Sequence, residues 1–412
     1  MKSLALKGDV LNERSRRNLM ILETIRRSGP VSKADISRFS GVNVVTISNY
    51  IESYIRKNLV RVKSLDVSAG GRRPALLAIN PQGNLAIGIG LNLIDMIGVV
   101  IDLNGQIVAR VVKNRPNTEA KDIIDSAFAM ITELLEQLSV ADREKVKGVG
   151  VGMAGIVDHQ NGTIRWPRKL NDGQCQYTSL YVSFKDMVEK KFRIPCILEN
   201  DATVACLGEQ WLSSDQTIEN LIYMFSGVGC GLMFNGEVYR GTTGGAGEVS
   251  LGATQEGKIV DSSWDHSLFF QPWEDDLGIV REIRQSLKDV KSSESIVLEL
   301  AKGKIENIHL RLVFQAAKAG DPLAVEKVKN AGRRLGAKIA FLVNLLNPQV
   351  VIIGGGMEEG GSSIVEAVKS VVSELAFSEM FNAVKIVPSR LGNNAVAIGA
   401  ASLIVRQVFS RG

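Results

Sequence analysis

Two acidic stretches carry residue types and spacings that could do chemistry. In ILENDATVACLGEQ an apolar run, IPCIL, leads into Glu199-Asn200-Asp201, and a small-residue segment of helical character follows. A carboxylate where a strand ends and a helix begins can act as a general base toward a sugar hydroxyl, or simply hold one. The same position equally suits Asp201 as the N-cap of that helix. The second stretch, GGAGEVSLG (244–252), surrounds one carboxylate, Glu248, with glycines, as the rim of a ligand site does.

Three glycine turns accompany the acids. They are Gly152-Met-Ala-Gly155, the Ser226–Gly231 turn with Gly227, Gly229 and Gly231, and the Gly354-Gly355-Gly356 triplet. Each follows an apolar strand-like run, and backbone N–H groups at such turns can cradle phosphates. None is a Walker or Rossmann fingerprint, so plain tight turns and a nucleotide-type cleft both stay open. The cysteines, Cys175, Cys196, Cys206 and Cys230, stand 10 or more residues apart, which excludes a metal-binding CxxC pair.

The elements that must position these groups alternate between strand and helix. LAIGIGLNLIDMIGVVIDLNGQIVAR predicts three strands with tight turns, the second over Met96–Asp102 and the third over Gln106–Arg110. A helix over Asp122–Leu138 and the strand VKGVGVGM follow, and the β-β-β-α-β order recurs loosely later. IENLIYMFSGVGCGLMFNGEVYRG predicts two strands and a hairpin at Asn235-Gly236. A long helix over Pro322–Leu346 then leads to the strand VVIIGGG. Strand–helix alternation with glycine turns after strands indicates α/β lobes that bind a ligand at their strand ends.

The first 80 residues differ in character. They hold 15 Lys and Arg against 6 Asp and Glu, a net of +9, which leaves −4 for the rest of a chain whose total is +5. Arg16–Arg27 reads as a helix with Leu19, Met20, Leu22 and Ile25 on its apolar side. Ser32 and Asp35 cap a second helix that buries Ile36 and Phe39 and ends at Gly41. A third helix carries the stripe Val44, Ile47, Ile51, Ile55 and Leu59. Its other face offers Asn43, Val45, Thr46, Ser48, Asn49 and Tyr50, near the helix N-terminus, where a reader helix touches base edges. VRVKSL and ALLAIN, joined by DVSAGGRRP, form a hairpin wing whose Arg72 and Arg73 suit a minor groove or phosphates. A small helical interaction domain would share the three-helix pattern, but the charge and the wing favour operator DNA.

A length of 412 residues predicts two or three domains, and 45% hydrophobic with 23% charged residues is ordinary for a globular chain. No apolar run has signal-peptide or membrane-spanning length, so the expectation is a cytoplasmic protein with no membrane partner.

Taken together, TISNYIESYIRKNLV, GGRRP, GVGVGMAGIVD, IPCILENDATVACLGE, SGVGCGLMFNGEVYRGTTGGAGE and VVIIGGG resemble the ROK family of repressors, open reading frames and sugar kinases. The resemblance is to its repressor branch of xylose- and N-acetylglucosamine-type regulators, and it spans essentially the full chain. It implies a mixed α/β fold, an N-terminal winged helix-turn-helix followed by a two-lobed actin-like sugar kinase fold. The implied domains are 1–80 for DNA binding, 81–199 with 391–412 as a smaller lobe, and 200–390 as a larger lobe with a dimerisation surface. By the same resemblance, Asn200, Asp201, Glu248 and Asn171 would contact a sugar, with Asp201 in the position of the kinase base. Gly227, Gly229, Gly231, Gly354 and Gly355 would be a vestigial nucleotide site.

The departures from the family pattern decide the expected function. Where family kinases carry an Asp-x-Gly-Gly-Thr turn for the phosphates of Mg·ATP, this chain reads Gly90-Leu-Asn92-Leu-Ile-Asp95. The family Glu-x-Gly-His becomes Glu248-Val-Ser250-Leu251. The cysteine cluster that braces a zinc loop is absent, leaving EGKIVDSSWDHSLFF with His266 alone. In that loop Trp264, Phe269, Phe270 and Trp273 would supply packing in place of metal. The expectation is therefore no cofactor, neither zinc nor ATP, and no enzyme. It is a sugar-responsive transcriptional repressor that binds operator DNA and a sugar or sugar derivative as a homodimer or dimer of dimers. The alternative is a bifunctional ATP-dependent sugar kinase with a regulatory DNA-binding head. Replacing Arg72 and Arg73 together by alanine is expected to weaken DNA binding and to flatten its dependence on salt; an unchanged salt slope would remove the wing from the interface.

Overall fold

The computed structural model describes residues 12–65, 75–92, 94–115, 120–159, 161–169, 177–213, 215, 217–226, 229–249, 254–255, 258–259, 277–289 and 295–412. The chain opens with α1 (Glu13–Ser28), α2 (Lys33–Ser40) and α3 (Val44–Arg56), followed by the antiparallel hairpin β1 (Val60–Leu65) and β2 (Ala75–Ile79). Ser32 and Asp35 form a full capping box, and Gly41 ends α2 in the left-handed region at φ 70°. Val31 forms an isolated antiparallel bridge with Leu77 beside the hairpin. The tip of the wing, with Arg72 and Arg73, lies outside the described residues.

The head's core is Leu19, Leu22, Ile25, Ile36, Ile47, Ile51 and Tyr54. It differs from the sequence expectation at three places: Phe39, Val44 and Ile55 are exposed. With only 8 residues, α2 turns one side chain, Ile36, inward. On α3 the inward face runs through positions 47, 51 and 54, so Tyr54 fills the space that Ile55 would have needed.

Lobe one contains β3 (Leu85–Leu91), β4 (Asp95–Asp102), β5 (Ile107–Asn114), α4 (Ala120–Glu136), α5 (Val140–Arg143) and β6 (Val146–Met153). A small antiparallel sheet of β7 (Ile156–Asp158), β8 (Thr163–Lys169) and β9 (Tyr177–Val182) follows, then α6 (Phe184–Phe192), β10 (Cys196–Asn200) and α7 (Asp201–Trp211). The main sheet has the order β10-β6-β3-β4-β5, an antiparallel meander with two strands added in parallel. The third strand continues past Arg110 to Asn114 because β4 pairs with it along its whole length.

Lobe two repeats this plan. β11 (Leu221–Phe225), β12 (Gly229–Phe234) and β13 (Glu237–Val238) form the meander, with left-handed Asn235 and Gly236 at the hairpin. The short pair β14 (Thr254–Gln255) and β15 (Lys258–Ile259), then α8 (Ile279–Asp289), α9 (Ile296–Leu300), α10 (Leu310–Lys318) and α11 (Pro322–Leu346), lead to β16 (Val350–Gly354). After α12 (Ser362–Leu375), α13 (Ser378–Ala383) and β17 (Lys385–Pro388), the sheet order is β13-β12-β11-β16-β17. The 25-residue α11 has the bounds its sequence predicts, since Asp321 caps its start and left-handed Asn347 stops it.

The last helix, α14 (Ala395–Arg411), packs on β3 and β6 of lobe one and runs beside α7, so the C-terminal segment belongs with the N-terminal lobe. The two helices touch backbone to backbone. A Cβ on Gly399 would stand 1.8 Å from the Val204 carbonyl oxygen, and one on Gly208 would stand 2.9 Å from the Gly399 Cα. Gly399→Ala is therefore expected to destabilise the fold by about 3 kcal/mol, measured by urea unfolding, because the helices must separate along their length. A loss well below 1 kcal/mol would show that this seam is compliant.

Candidate functional site

The acidic site forms where β10 hands over to α7. Asn200 ends the strand and caps the helix, its Oδ1 accepting from the Thr203 N–H at 3.0 Å and its Nδ2 donating to the Gly155 carbonyl at 3.3 Å. The cap is thus Asn200, not Asp201. A cap must have extended backbone before the first turn, and Asn200 has it, whereas Asp201 is the first helical residue. The Asp201 carboxylate accepts from the Ala202 N–H at 2.7 Å and lies within electrostatic reach of Arg115, just past the end of β5.

Glu199 is buried and structural. Its Oε2 accepts from Nε and Nη2 of Arg240, at 2.8 and 2.6 Å, and its Oε1 lies 3.3 Å from His159 Nε2. Burial works to raise its pKa, but the hydrogen bond from His159 and the charge on Arg240 outweigh it, and the carboxyl stays ionised.

Glu248 reaches the site from lobe two, where its backbone bridges to Gly229. Gly247 makes this approach feasible: its φ is 98°, and a Cβ there would stand 1.9 Å from the Cys230 carbonyl oxygen. Desolvation and the neighbouring Asp201 charge raise the Glu248 pKa to about 7, and desolvation raises that of Asp201 to about 6. Glu248 keeps access to solvent and Asp201 is only 5% exposed, so water dampens the first effect more than the second. Two neighbouring acids whose pKa values are raised toward neutrality can both donate to and accept from hydroxyl groups. Asn171, the fourth expected contact, lies outside the described residues, as do Ser250 and Leu251.

The altered phosphate turn is occupied by the protein itself. Asn92, 3% exposed, donates from Nδ2 to the Asn393 carbonyl at 2.7 Å, and its own carbonyl accepts from Arg115. Asp95 pairs with Arg311 of α10 at 2.6 Å, and Ile94 packs on the core of lobe two. Here one turn ties the two lobes together.

The glycine turns are likewise engaged internally. The Gly355 N–H donates to the Tyr223 hydroxyl at 3.2 Å, and the Gly356 N–H donates to the Glu358 carboxylate at 2.9 Å. The Glu358 carboxyl, whose pKa burial pushes up to about 7, occupies the N–H that such a turn would offer a phosphate. Side chains at Gly231 or Gly354 would strike the Ala202 carbonyl or the Tyr223 hydroxyl, which places both in close packing; a Cβ at Gly229 would only touch the Gly247 carbonyl, and Gly227 lies outside the described residues. For zinc, no group of three potential ligands occurs among the described residues, and His266, Trp264, Phe269, Phe270 and Trp273 fall outside them.

On the head, Val45 is 75% exposed and Asn49 is exposed beside it. Asn43 accepts from the Thr46 N–H, Ser48 accepts from Lys33 Nζ at 3.2 Å, and Tyr50 leans on Tyr54 with ring centroids 5.9 Å apart. Arg115, Arg311, Arg240 and Asn393 are site residues that sequence reasoning missed. Their partners are distant in sequence, and no local pattern points to them.

The family model described as "ROK family" matches residues 84–256 and 282–407. The xylose repressor of Caldicellulosiruptor bescii is 26% identical over 396 residues, covering 95% of this chain and 96% of that protein. Among solved structures, a ROK family transcriptional regulator, a homolog of the Escherichia coli MLC protein, superposes with a TM-score of 0.72 at 22% identity, over 96% of each chain. A ROK family glucokinase from Streptomyces griseus in complex with glucose and AMPPNP superposes at 0.64 with 25% identity, over 78% of this chain and 99% of its own.

The raised acids carry a pH signature. Between roughly pH 4 and 7 the folded protein holds protons that the unfolded chain has released, so stability falls as pH rises through that window. Asp201→Asn is expected to stabilise the protein at pH 8 by on the order of 2 kcal/mol and to change little at pH 4, read from denaturation across pH. A variant with the wild-type pH profile would mean that Asp201 is not held protonated.

Proposed function

From the premise that this chain belongs to the ROK family, we propose that it is a sugar-responsive transcriptional repressor. The winged helix binds operator DNA, and the interlobe cleft takes a sugar or sugar derivative through Asn200, Asp201 and Glu248. One observation carries the reading: two acids with raised pKa values, suited to hydroxyl groups, stand beside a turn and glycine triplet engaged by Asn393, Arg311, Tyr223 and Glu358. Phosphoryl transfer rests on positioned phosphates, and this cleft has put protein groups in their place. Binding is left, and binding regulates if the ligand has different affinity for two lobe arrangements. The similarity to a xylose repressor over nearly the whole chain supports the same reading.

The DNA partner requires two heads. On lobe two, Phe341, Leu345, Leu375 and Phe377 are 65%, 62%, 56% and 66% exposed. They cluster where Asn344 ties the end of α12 to α11, donating to the Leu375 carbonyl at 3.1 Å and accepting from the Phe377 N–H at 2.9 Å. Such a patch suits an isologous homodimer contact, which would present two reader helices to a two-fold operator or serve as one contact of a dimer of dimers.

A thermal-shift screen of pentoses, hexoses and N-acetylated hexosamines tests the cleft. A binding sugar raises the melting temperature of the wild type and not that of Asp201→Ala with Glu248→Ala. Absence of any sugar response would favour control by a protein partner. The kinase alternative rests on Asp201 in the base position, and sugar-dependent ATP turnover abolished by Asp201→Asn would establish it. Phe341→Glu with Phe377→Glu is expected to shift the protein to a monomer in size-exclusion chromatography and to weaken operator binding.

A further inference from the structure

Helix α7 joins the cleft to the head. Its first residue is Asp201, and its last, Trp211, is fully buried against α1. There the Trp211 indole N–H donates to Glu23 Oε1 at 2.7 Å. Arg26 stacks 4.2 Å above the Trp211 ring and donates to the Trp211 carbonyl at 2.8 Å and to Glu23 Oε2 at 2.9 Å. Arg27 Nε lies 3.4 Å from the same Glu23 oxygen, and Arg406 of α14 lies within electrostatic reach.

Helix α14 makes the same journey. It begins beside Asn393, whose carbonyl holds Asn92 at the cleft, and it ends where the Ser410 carbonyl accepts from Asn18 of α1 at 3.1 Å. Asn18 in turn accepts from the Tyr54 hydroxyl of α3 at 2.8 Å. One apolar cluster runs unbroken from Leu22 and Ile51 of the head through Ile97 and Val99 of β4 to Ile404 and Phe409 of α14. Backbone contact at Gly208 and Gly399 prevents the two helices from sliding independently.

We propose that α7 and α14 form one rigid coupling unit that fuses the head to lobe one, with Glu23 and Trp211 as the positioning joint. The head is not a tethered domain. It moves with the corner that holds Asn200 and Asp201, and because α7 also packs on β11 and β12 of lobe two, this unit lies at the seam between the lobes, which Asp95 and Arg311 also bridge. The inference deepens the proposed function and rests on its assignment of the cleft as effector site and the head as DNA reader.

Hydrogen–deuterium exchange on the full chain, without DNA or sugar, tests the coupling. Peptides from α1, α7, α14 and β3 should share one level of protection. Trp211→Phe, which keeps the ring's bulk and removes the N–H, should speed exchange in α1, α7 and α14 together by roughly tenfold and leave α11 and α12 unchanged. Asp201→Asn, at the far end of α7, should alter exchange in α1. Glu23→Gln should reproduce the Trp211→Phe pattern. A head that exchanges faster than lobe one in the wild type, or variants whose effects stay beside the substituted residue, would overturn the proposal. Because neither DNA nor sugar enters the measurement, its failure leaves the proposed function standing, and a failure of sugar or DNA binding leaves the coupling standing.

Discussion

Where α14 crosses α7, the chain of Gly399 lies against the Val204 carbonyl with no room for a single methyl group between them. Most of the molecule's organisation depends on that contact. It brings the C-terminal segment into the N-terminal lobe, with α14 seated on β3 and β6 and α7 on β11 and β12 of lobe two. It leaves their far ends as a platform for α1. The start of α7 then presents Asn200 and Asp201 at the strand ends, facing Glu248 from lobe two.

The cleft is a composite of retained and refilled parts. Desolvation pushes the Asp201 pKa up, and desolvation together with the Asp201 charge pushes up that of Glu248. At the Gly90–Asp95 turn and the Gly354–Gly356 triplet, internal hydrogen bonds and the Asp95–Arg311 pair engage the protein's own groups. The Asp95–Arg311 pair and Ile94 tie the two lobes together, whereas Tyr223 and Glu358 hold the glycine turn from within lobe two.

The head–body junction shows how a buried charge cluster acts in such a design. Burial opposes the Glu23 charge, but Arg26, Arg27, Arg406 and the Trp211 N–H outweigh it and lower its pKa. A buried acid surrounded by three cations is costly to expose or separate, which favours one orientation of the head over alternatives. That orientation sets where Val45 and Asn49 of α3 point relative to lobe one.

The local features were legible in the sequence because short-range rules govern them. The capping box of Ser32 and Asp35, the Gly41 stop, the Asn235-Gly236 hairpin and the bounds of α11 all follow from residues within one turn of one another. So did the acid-bearing corner at Glu199–Asp201 and the altered turn at Gly90–Asp95. The inward faces of α2 and α3 were legible only in part: Phe39 and Ile55 are apolar at plausible spacing, but Tyr54 won the core. Tertiary structure alone decided that Asn200 rather than Asp201 caps α7, that Arg115 stands beside Asp201, that the Tyr223 hydroxyl meets the Gly355 turn, and that Trp211 meets Glu23. Those outcomes depend on contacts between residues up to 188 positions apart, or on competition between adjacent groups for one backbone position. Periodicity and propensity describe the neighbourhood of a residue along the chain. Which distant side chain fills a given space is settled only when the lobes pack.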